Sequence, residues 1–266
     1  MSAISLRPFV FAGDRLAAAL GIGAFLLMTA LLERRVAPGL GRAAWWALLA
    51  GLLGARLGHV AQHWESFSLE PLRMLAFWQG GFSATPGLVL ASAAGALAIR
   101  SWRSAAALVT AAAVGLLFWA GTRELSRATL GKAAPTAALE QLDGPPLAIS
   151  ELRGRPAVVN LWATWCPPCR REMPLLAGAA AENRAVAFVF VNQAEGPERI
   201  RAYLTGEGLS LGNVLLDPAL QIQRHYGAAG IPLTLFLRAD GTLADQHVGE
   251  ISPELLQAGI DAASAR

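Results

Sequence analysis

Cys166 and Cys169 are the only cysteines in the 266-residue chain, and they stand in the run Trp165-Cys166-Pro167-Pro168-Cys169. An apolar run ends just before them and an amphipathic one begins just after, so the pair falls where a strand gives way to a helix. The first turn of a helix favours negative charge, and a thiol held there ionises more readily. Cys166 is therefore the expected nucleophile: its thiolate attacks a disulfide, and Cys169 then attacks the mixed disulfide and frees the trapped partner. Other uses of the motif fit less well. A structural zinc takes four ligands, whereas the histidines of this half, His225 and His247, are distant and single. Haem attachment wants a histidine after the second cysteine, where the chain has Arg170. Soft-ligand copper binding would be helped by methionines, and only Met173 is near. No metal is expected, and no cofactor beyond the redox-active cysteine pair itself.

The elements that must position the pair can be read around it. Apolar runs at 157–163, 186–192, 214–217, 233–238 and 243–248 read as strands, and amphipathic stretches at 168–181, 198–206, 218–226 and 252–263 read as helices. Such alternation gives an α/β domain built on a central sheet. Asp240-Gly241 between the last two runs predicts a hairpin, which makes those strands antiparallel. Pro167 and Pro168 carry no N–H, so two donors that could face the Cys166 thiolate are missing. If that dominates, the dithiol is poorly stabilised and acts as a reductant; Arg170 and Arg171 push the other way.

Leu152-Arg153-Gly154-Arg155-Pro156, the stretch from Val159-Asn160-Leu161-Trp162 through Cys166 to Glu172-Met173-Pro174, and Gly230-Ile231-Pro232-Leu233-Thr234 together resemble the TlpA/ResA-type thiol-disulfide oxidoreductases over residues 134–266. The resemblance implies a thioredoxin-like fold and a cis bond before Pro232, packed against the disulfide, although a strand-start proline would also suit that position. It further implies that the Ile231 backbone and Trp165 meet the bound substrate, and that Glu172 adjusts the proton affinity of the cysteines. Thioredoxin keeps an aspartate six residues before its first cysteine; Asn160 stands there in this chain. Any carboxylate proton shuttle is then Glu172, although an acid early in a helix also simply suits the dipole. Catalytic roles are thus expected for Cys166, Cys169, Glu172 and Pro232, and substrate contacts for Trp165 and Ile231. Implied clients are exported proteins with thiols to be kept reduced, such as apocytochrome c or copper-site proteins, with an oxidase or isomerase on the same fold as the alternative.

The first half is of another kind. Residues 1–132 hold 12 Lys+Arg and 5 Asp+Glu, whereas residues 133–266 hold 10 and 14. The arginines sit at the ends of apolar runs rather than on one concentrated surface, which argues against nucleic acid as a partner. Four apolar stretches, 16–32, 43–61, 82–99 and 105–121, approach the ~20 residues needed to cross a bilayer, and they are expected to be four transmembrane helices embedded in membrane lipid. Arg34, Arg35, Arg42, Arg100 and Arg103 mark the loops after the first and third as cytoplasmic. That places both termini outside, with Arg7, Arg15, Arg123, Arg127 and Lys132 weakening the asymmetry. Residues 68–81 read as one short interfacial helix with Pro71 at its first position. Gly54 and Gly58 are spaced for close helix packing, or are chance glycines. Arg56 within a span reads as a polar contact with a possible docking role, or as a side chain snorkelling to the surface. His59 and His63 lack a third metal ligand.

Gly54-Ala55-Arg56-Leu57-Gly58, Glu70-Pro71-Leu72 and Trp78-Gln79-Gly80-Gly81-Phe82-Ser83 resemble the early part of prolipoprotein diacylglyceryl transferases. Where that family carries a histidine-glycine-glycine motif, this chain reads Thr85-Pro86-Gly87, so lipid transfer is not expected. The expected organisation is an all-α membrane domain of about four helices over 1–122, a linker over 123–136, and an α/β thioredoxin-like domain over 137–266. The first half holds no cysteine, so a separate transmembrane thiol reductant must recharge the dithiol. The expected location is the bacterial inner membrane, multi-pass, with the catalytic domain facing the periplasm.

Overall fold

The computed structural model describes residues 3–6, 9–126, 129–228 and 230–265; Arg7 and Arg127 lie outside them. The chain divides into two compact units, Asp14–Leu125, and Met1–Gly13 with Ser126–Arg266. The first residues pair as an antiparallel ribbon, β1 (Ala3–Leu6) and β2 (Phe9–Ala12).

The first unit is helical: α1 (Gly13–Arg35), α2 (Leu40–Gln62), α3 (Trp64–Leu69), α4 (Ala84–Ala98) and α5 (Trp102–Ser126). Among the described residues two helical segments, Arg15–Arg35 and Trp102–Leu125, are long and apolar enough to cross a membrane, not the four expected. The 15-residue α4 is shorter than a full span. The helices meet through their smallest residues. A Cβ added to Gly58 would lie 2.0 Å from Pro86 Cγ, and one added to Gly54 would lie 2.9 Å from the Pro86 carbonyl oxygen. Gly21 and Gly115 approach each other's backbones just as closely. The Gly54 and Gly58 spacing is therefore a packing device, the contact between α2 and α4 that small residues permit.

The 68–81 segment is not one helix. Beyond α3 it forms two 3-10 turns, Pro71–Leu75 and Phe77–Gln79. Pro71 holds the residue before it out of the helical region, and Glu70 is extended at φ −136°. Arg56 takes up four carbonyls of this stretch, of which Arg73 O also accepts the Ala76 N–H of its own turn. Its Nε donates to Met74 O at 3.0 Å, Nη2 to Arg73 O at 2.7 Å, and Nη1 to Gly80 O and Gly81 O at 2.7 and 3.0 Å. The rings of Phe67, Phe77 and Phe82 surround the guanidinium, and Arg56 is 6% exposed. It neither snorkels nor presents a docking charge. The rings of His59 and His63 lie 4.4 Å apart, and no group of three or more metal-ligating side chains occurs among the described residues.

The second unit is a seven-stranded mixed sheet: β3 (Ala138–Gln141), β4 (Leu147–Ala148), β5 (Ala157–Trp162), β6 (Ala187–Gln193), β7 (Val214–Asp217), β8 (Leu233–Leu237) and β9 (Leu243–Val248), in the order β4-β3-β7-β6-β5-β8-β9. β5, β6 and β7 run parallel, and β8 and β9 antiparallel to their neighbours. β5 and β6 are buried along their whole length, and alternation of side chains divides the core. Val158, Trp162 and Phe190 face α6 (Pro167–Glu182), α7 (Pro197–Gly206) and α9 (Pro253–Ser264). Val159, Leu161 and Val191 face Ile222 of α8 (Gln221–His225) and Tyr226.

Asp240-Gly241 forms the expected turn, with Gly241 at φ 83°. The 123–136 stretch is less of a linker than its composition suggests. α5 continues to Ser126, and Gly131 and Ala134 already donate backbone hydrogen bonds to Leu243 O and Gly241 O.

Candidate active site

β5 ends at Trp162 and the chain turns through Ala163 and Thr164 into Cys166, the N-cap of α6, with φ −93° and ψ 104°. Pro167 and Pro168 take the first two helical positions, where their missing N–H is least costly. The amide of Cys169 is then the first to point back, donating to Cys166 Sγ at 3.3 Å. Cys166 and Cys169 are joined as a disulfide with their Cα atoms 5.3 Å apart. Both are buried, while the neighbouring Trp165 is 60% exposed.

Glu172 lies one turn further along α6 and is buried at 2% exposure. Asn160 Nδ2 of β5 donates to its Oε1 at 2.8 Å and Ile251 N to its Oε2 at 2.9 Å. Burial pushes the Glu172 carboxyl up to about 8, against those two donors, with Glu250 raising it further and Arg171 lowering it. Asn160 also donates to Thr234 Oγ1 at 3.1 Å.

The Ile231–Pro232 peptide is cis. Leu161 pairs with Leu233 across β5 and β8, so Pro232 stands beside the strand end from which the cysteine turn departs. Ile231 packs against the core cluster that contains both cysteines. Gly249 N donates to Pro232 O at 2.9 Å, which ties the loop after β9 to this strand.

The two arginines after Cys169 are spoken for. Arg170 pairs with Glu207 at 2.6 Å and Arg171 with Glu250 at 2.6 Å. Each positive charge thus has a carboxylate beside it.

Residues 129–263 match the family model described as Redoxin. The chain belongs to the redoxin family. Among curated relatives, the thiol-disulfide oxidoreductase ResA of Halalkalibacterium halodurans is 29% identical over 56% of this chain and 86% of its own length. The thioredoxin-like protein YneN of Bacillus subtilis is 32% identical over 49% and 78%. The thiol:disulfide interchange protein HelX of Rhodobacter capsulatus is 30% identical over 50% and 76%. This redoxin is a thiol-disulfide oxidoreductase. Residues 10–122 match the prolipoprotein diacylglyceryl transferase model, and with the apolar helices this associates the chain with a membrane.

Glu195 and Arg199 support the turn without any signal in the sequence of this redoxin, whereas Asn160 stands out there as the place where thioredoxin has an aspartate. Asn160 is a polar residue in an otherwise apolar strand, and a buried amide requires a partner; that signal pointed to Glu172. Glu195, after β6, accepts Thr164 N at 2.7 Å and Thr164 Oγ1 at 2.6 Å, and also Asn192 Nδ2 at 2.9 Å. Arg199 pairs with it at 3.1 Å. Glu195 thus grips the turn two residues before Cys166. The loop that delivers it holds Ala194 at φ 61°, a region that non-glycine residues seldom occupy.

Proposed function

We propose that this redoxin is a membrane-anchored disulfide reductase acting on exported proteins, apocytochrome c and copper-site proteins among them, with its catalytic domain on the periplasmic face. The observation that carries the reading is the Cys166–Cys169 disulfide at the start of α6 with Glu172 buried one turn beyond it. Among the described residues a single amide donates to Cys166 Sγ, and both nearby arginines are paired with carboxylates. A thiolate with so little support is weakly stabilised, and a weakly stabilised dithiol gives up its electrons readily.

In the proposed cycle the Cys166 thiolate attacks one sulfur of a client disulfide, and the other client sulfur leaves as thiolate and takes a proton. Cys169 passes its proton to Glu172 and attacks Cys166 Sγ, which closes the enzyme disulfide and releases the second client thiol. Two electrons move from the dithiol to the client. A dithiol on a separate transmembrane protein restores them, since residues 1–132 hold no cysteine. On its return, protonated Glu172 supplies the proton to the departing Cys169 thiolate. Trp165 and the Ile231–Pro232 backbone meet the client strand, and no cofactor beyond the cysteine pair takes part.

In this reading α1, α2 and α5 cross the membrane and the short α4, with the flanking residues of the 82–99 apolar stretch, makes the fourth crossing, with Arg34, Arg35, Arg42, Arg100 and Arg103 on the cytoplasmic side. Loss of the transferase histidine at Thr85-Pro86-Gly87 leaves the helices as an anchor. The deciding measurement is the reduction potential of the full chain in detergent against thiol buffers. A value near or below about −250 mV supports the reductase, and one above about −180 mV replaces it with an oxidase or isomerase.

A further inference from the structure

Glu172 is held by two segments, and a second pair of side chains bridges the same two. Arg171 precedes Glu172 on α6, and Glu250 precedes Ile251, whose N–H donates to Glu172. Arg171 Nε and Nη2 both reach Glu250 Oε2, at 2.7 and 2.6 Å. The side chain of Arg171 is 55% exposed and that of Glu250 only 9%, so the anionic partner is the desolvated one. The loop carrying Glu250 also donates Gly249 N to Pro232 O.

Resting on the reductase reading of Glu172 and deepening it, we propose that the Arg171–Glu250 ion pair regulates this site: it is a positioning device whose two opposed charges set the pH at which Glu172 takes up its proton. The groups facing Glu172 are few. Arg171 and the cysteines share its helix. Glu250 lies on the loop after β9, and His247 of β9 places Nε2 3.2 Å from the Glu250 carbonyl oxygen. β5 and β8 contribute the neutral Asn160 and Thr234. The negative charge of Glu250 disfavours a second carboxylate beside it, and Arg171 offsets that repulsion. Removing either partner then moves Glu172 in an opposite direction. Mere loosening of the loop would move Glu172 the same way in both cases, down where water relieves burial or up where the Ile251 donor is lost.

The test is a carbon-13 titration of glutamate side-chain carboxyls in the oxidised full chain in detergent, where the cysteines do not titrate, with the Glu172 signal assigned by its loss in E172Q. In E250Q the midpoint falls by about one pH unit, in R171Q it rises by about one, in R171K it stays near the parent value, and in R171Q/E250Q it returns toward the parent. A shift in the same direction in E250Q and R171Q, or no shift in either, overturns the proposal. If R171Q does not fold, E250Q and R171K still decide: an unmoved midpoint in E250Q or a fall in R171K overturns it. Disulfide-exchange kinetics separate this from the underlying reading: E172Q leaving exchange unchanged would remove Glu172 from the chemistry while the titration result stood.

Discussion

The two units solve the same packing problem in opposite ways. The redox unit buries its largest side chains, Trp162, Phe190, Phe236 and Tyr226, and from Val158 onward Trp165 is its one exposed large hydrophobic residue among the described positions. The helical unit buries mostly alanine and glycine, with Phe67 and Leu40 as large exceptions, and turns most of its bulk outward, with Leu97 at 88% and Leu117 at 71% exposure. Water drives large apolar groups inward. Lipid gives no such drive, and close backbone approach through small residues holds helices together instead. The difference teaches which solvent each half was built for, and it isolates Trp165 as an apolar residue that the redox unit leaves in water.

Substitutions can break that contrast or sharpen it. The largest effect is expected from Cys166→Ser, which abolishes disulfide exchange while the helical unit keeps its circular dichroism and protease resistance. Next, Arg56→Leu deprives the Met74, Gly80 and Gly81 carbonyls of this donor, at about 1–3 kcal/mol each where burial persists, while Arg73 O keeps the Ala76 N–H. Limited proteolysis should then cut within 70–81 while exchange activity survives. Gly58→Ala places a methyl against Pro86 and costs about 1–3 kcal/mol of overpacking, read as a lower melting temperature of the helical unit alone.

Glu172→Gln acts on the other half and only at higher pH. The folded-state value of about 8 lies above the ordinary 4.5, so the native state binds the extra proton between them. That stability is complete below about pH 4.5 and is lost as pH rises through about 8. Denaturant midpoints of the redox unit should therefore fall from pH 5 to pH 9 in the parent and fall less in E172Q. The smallest stability change belongs to Trp165→Ala, within about 0.5 kcal/mol, while exchange with a protein disulfide slows about fivefold or more and exchange with a small disulfide does not.

Much of the redox unit was legible because its signals are local. Strands at 214–217 and 243–248 coincide with the observed ones, since short apolar runs between turn residues leave little choice of ends. β3 and β4 escaped because Ala138–Gln141 alternates weakly and Leu147–Ala148 is two residues long. The site was legible where chemistry is concentrated in one motif, and illegible where support arrives from far along the chain. Glu195 is 31 residues from the Thr164 it grips, and Ile251 is 79 from Glu172. In the helical half, Pro71 told of a helix start but not of the helix's failure, which Arg56 underwrites from 17 to 25 residues away.

The stretch before the sheet has one more consequence. Lys132 and Gly131 exchange backbone bonds with Leu243, and Ala133 bridges Thr242, so the chain's own backbone lies along the start of β9, while the opposite border of the sheet is the two-residue β4. Open borders invite foreign strands to add themselves. Here one border is only two residues long and the other begins already occupied, so each offers a foreign strand less open edge than the sheet's strand count suggests.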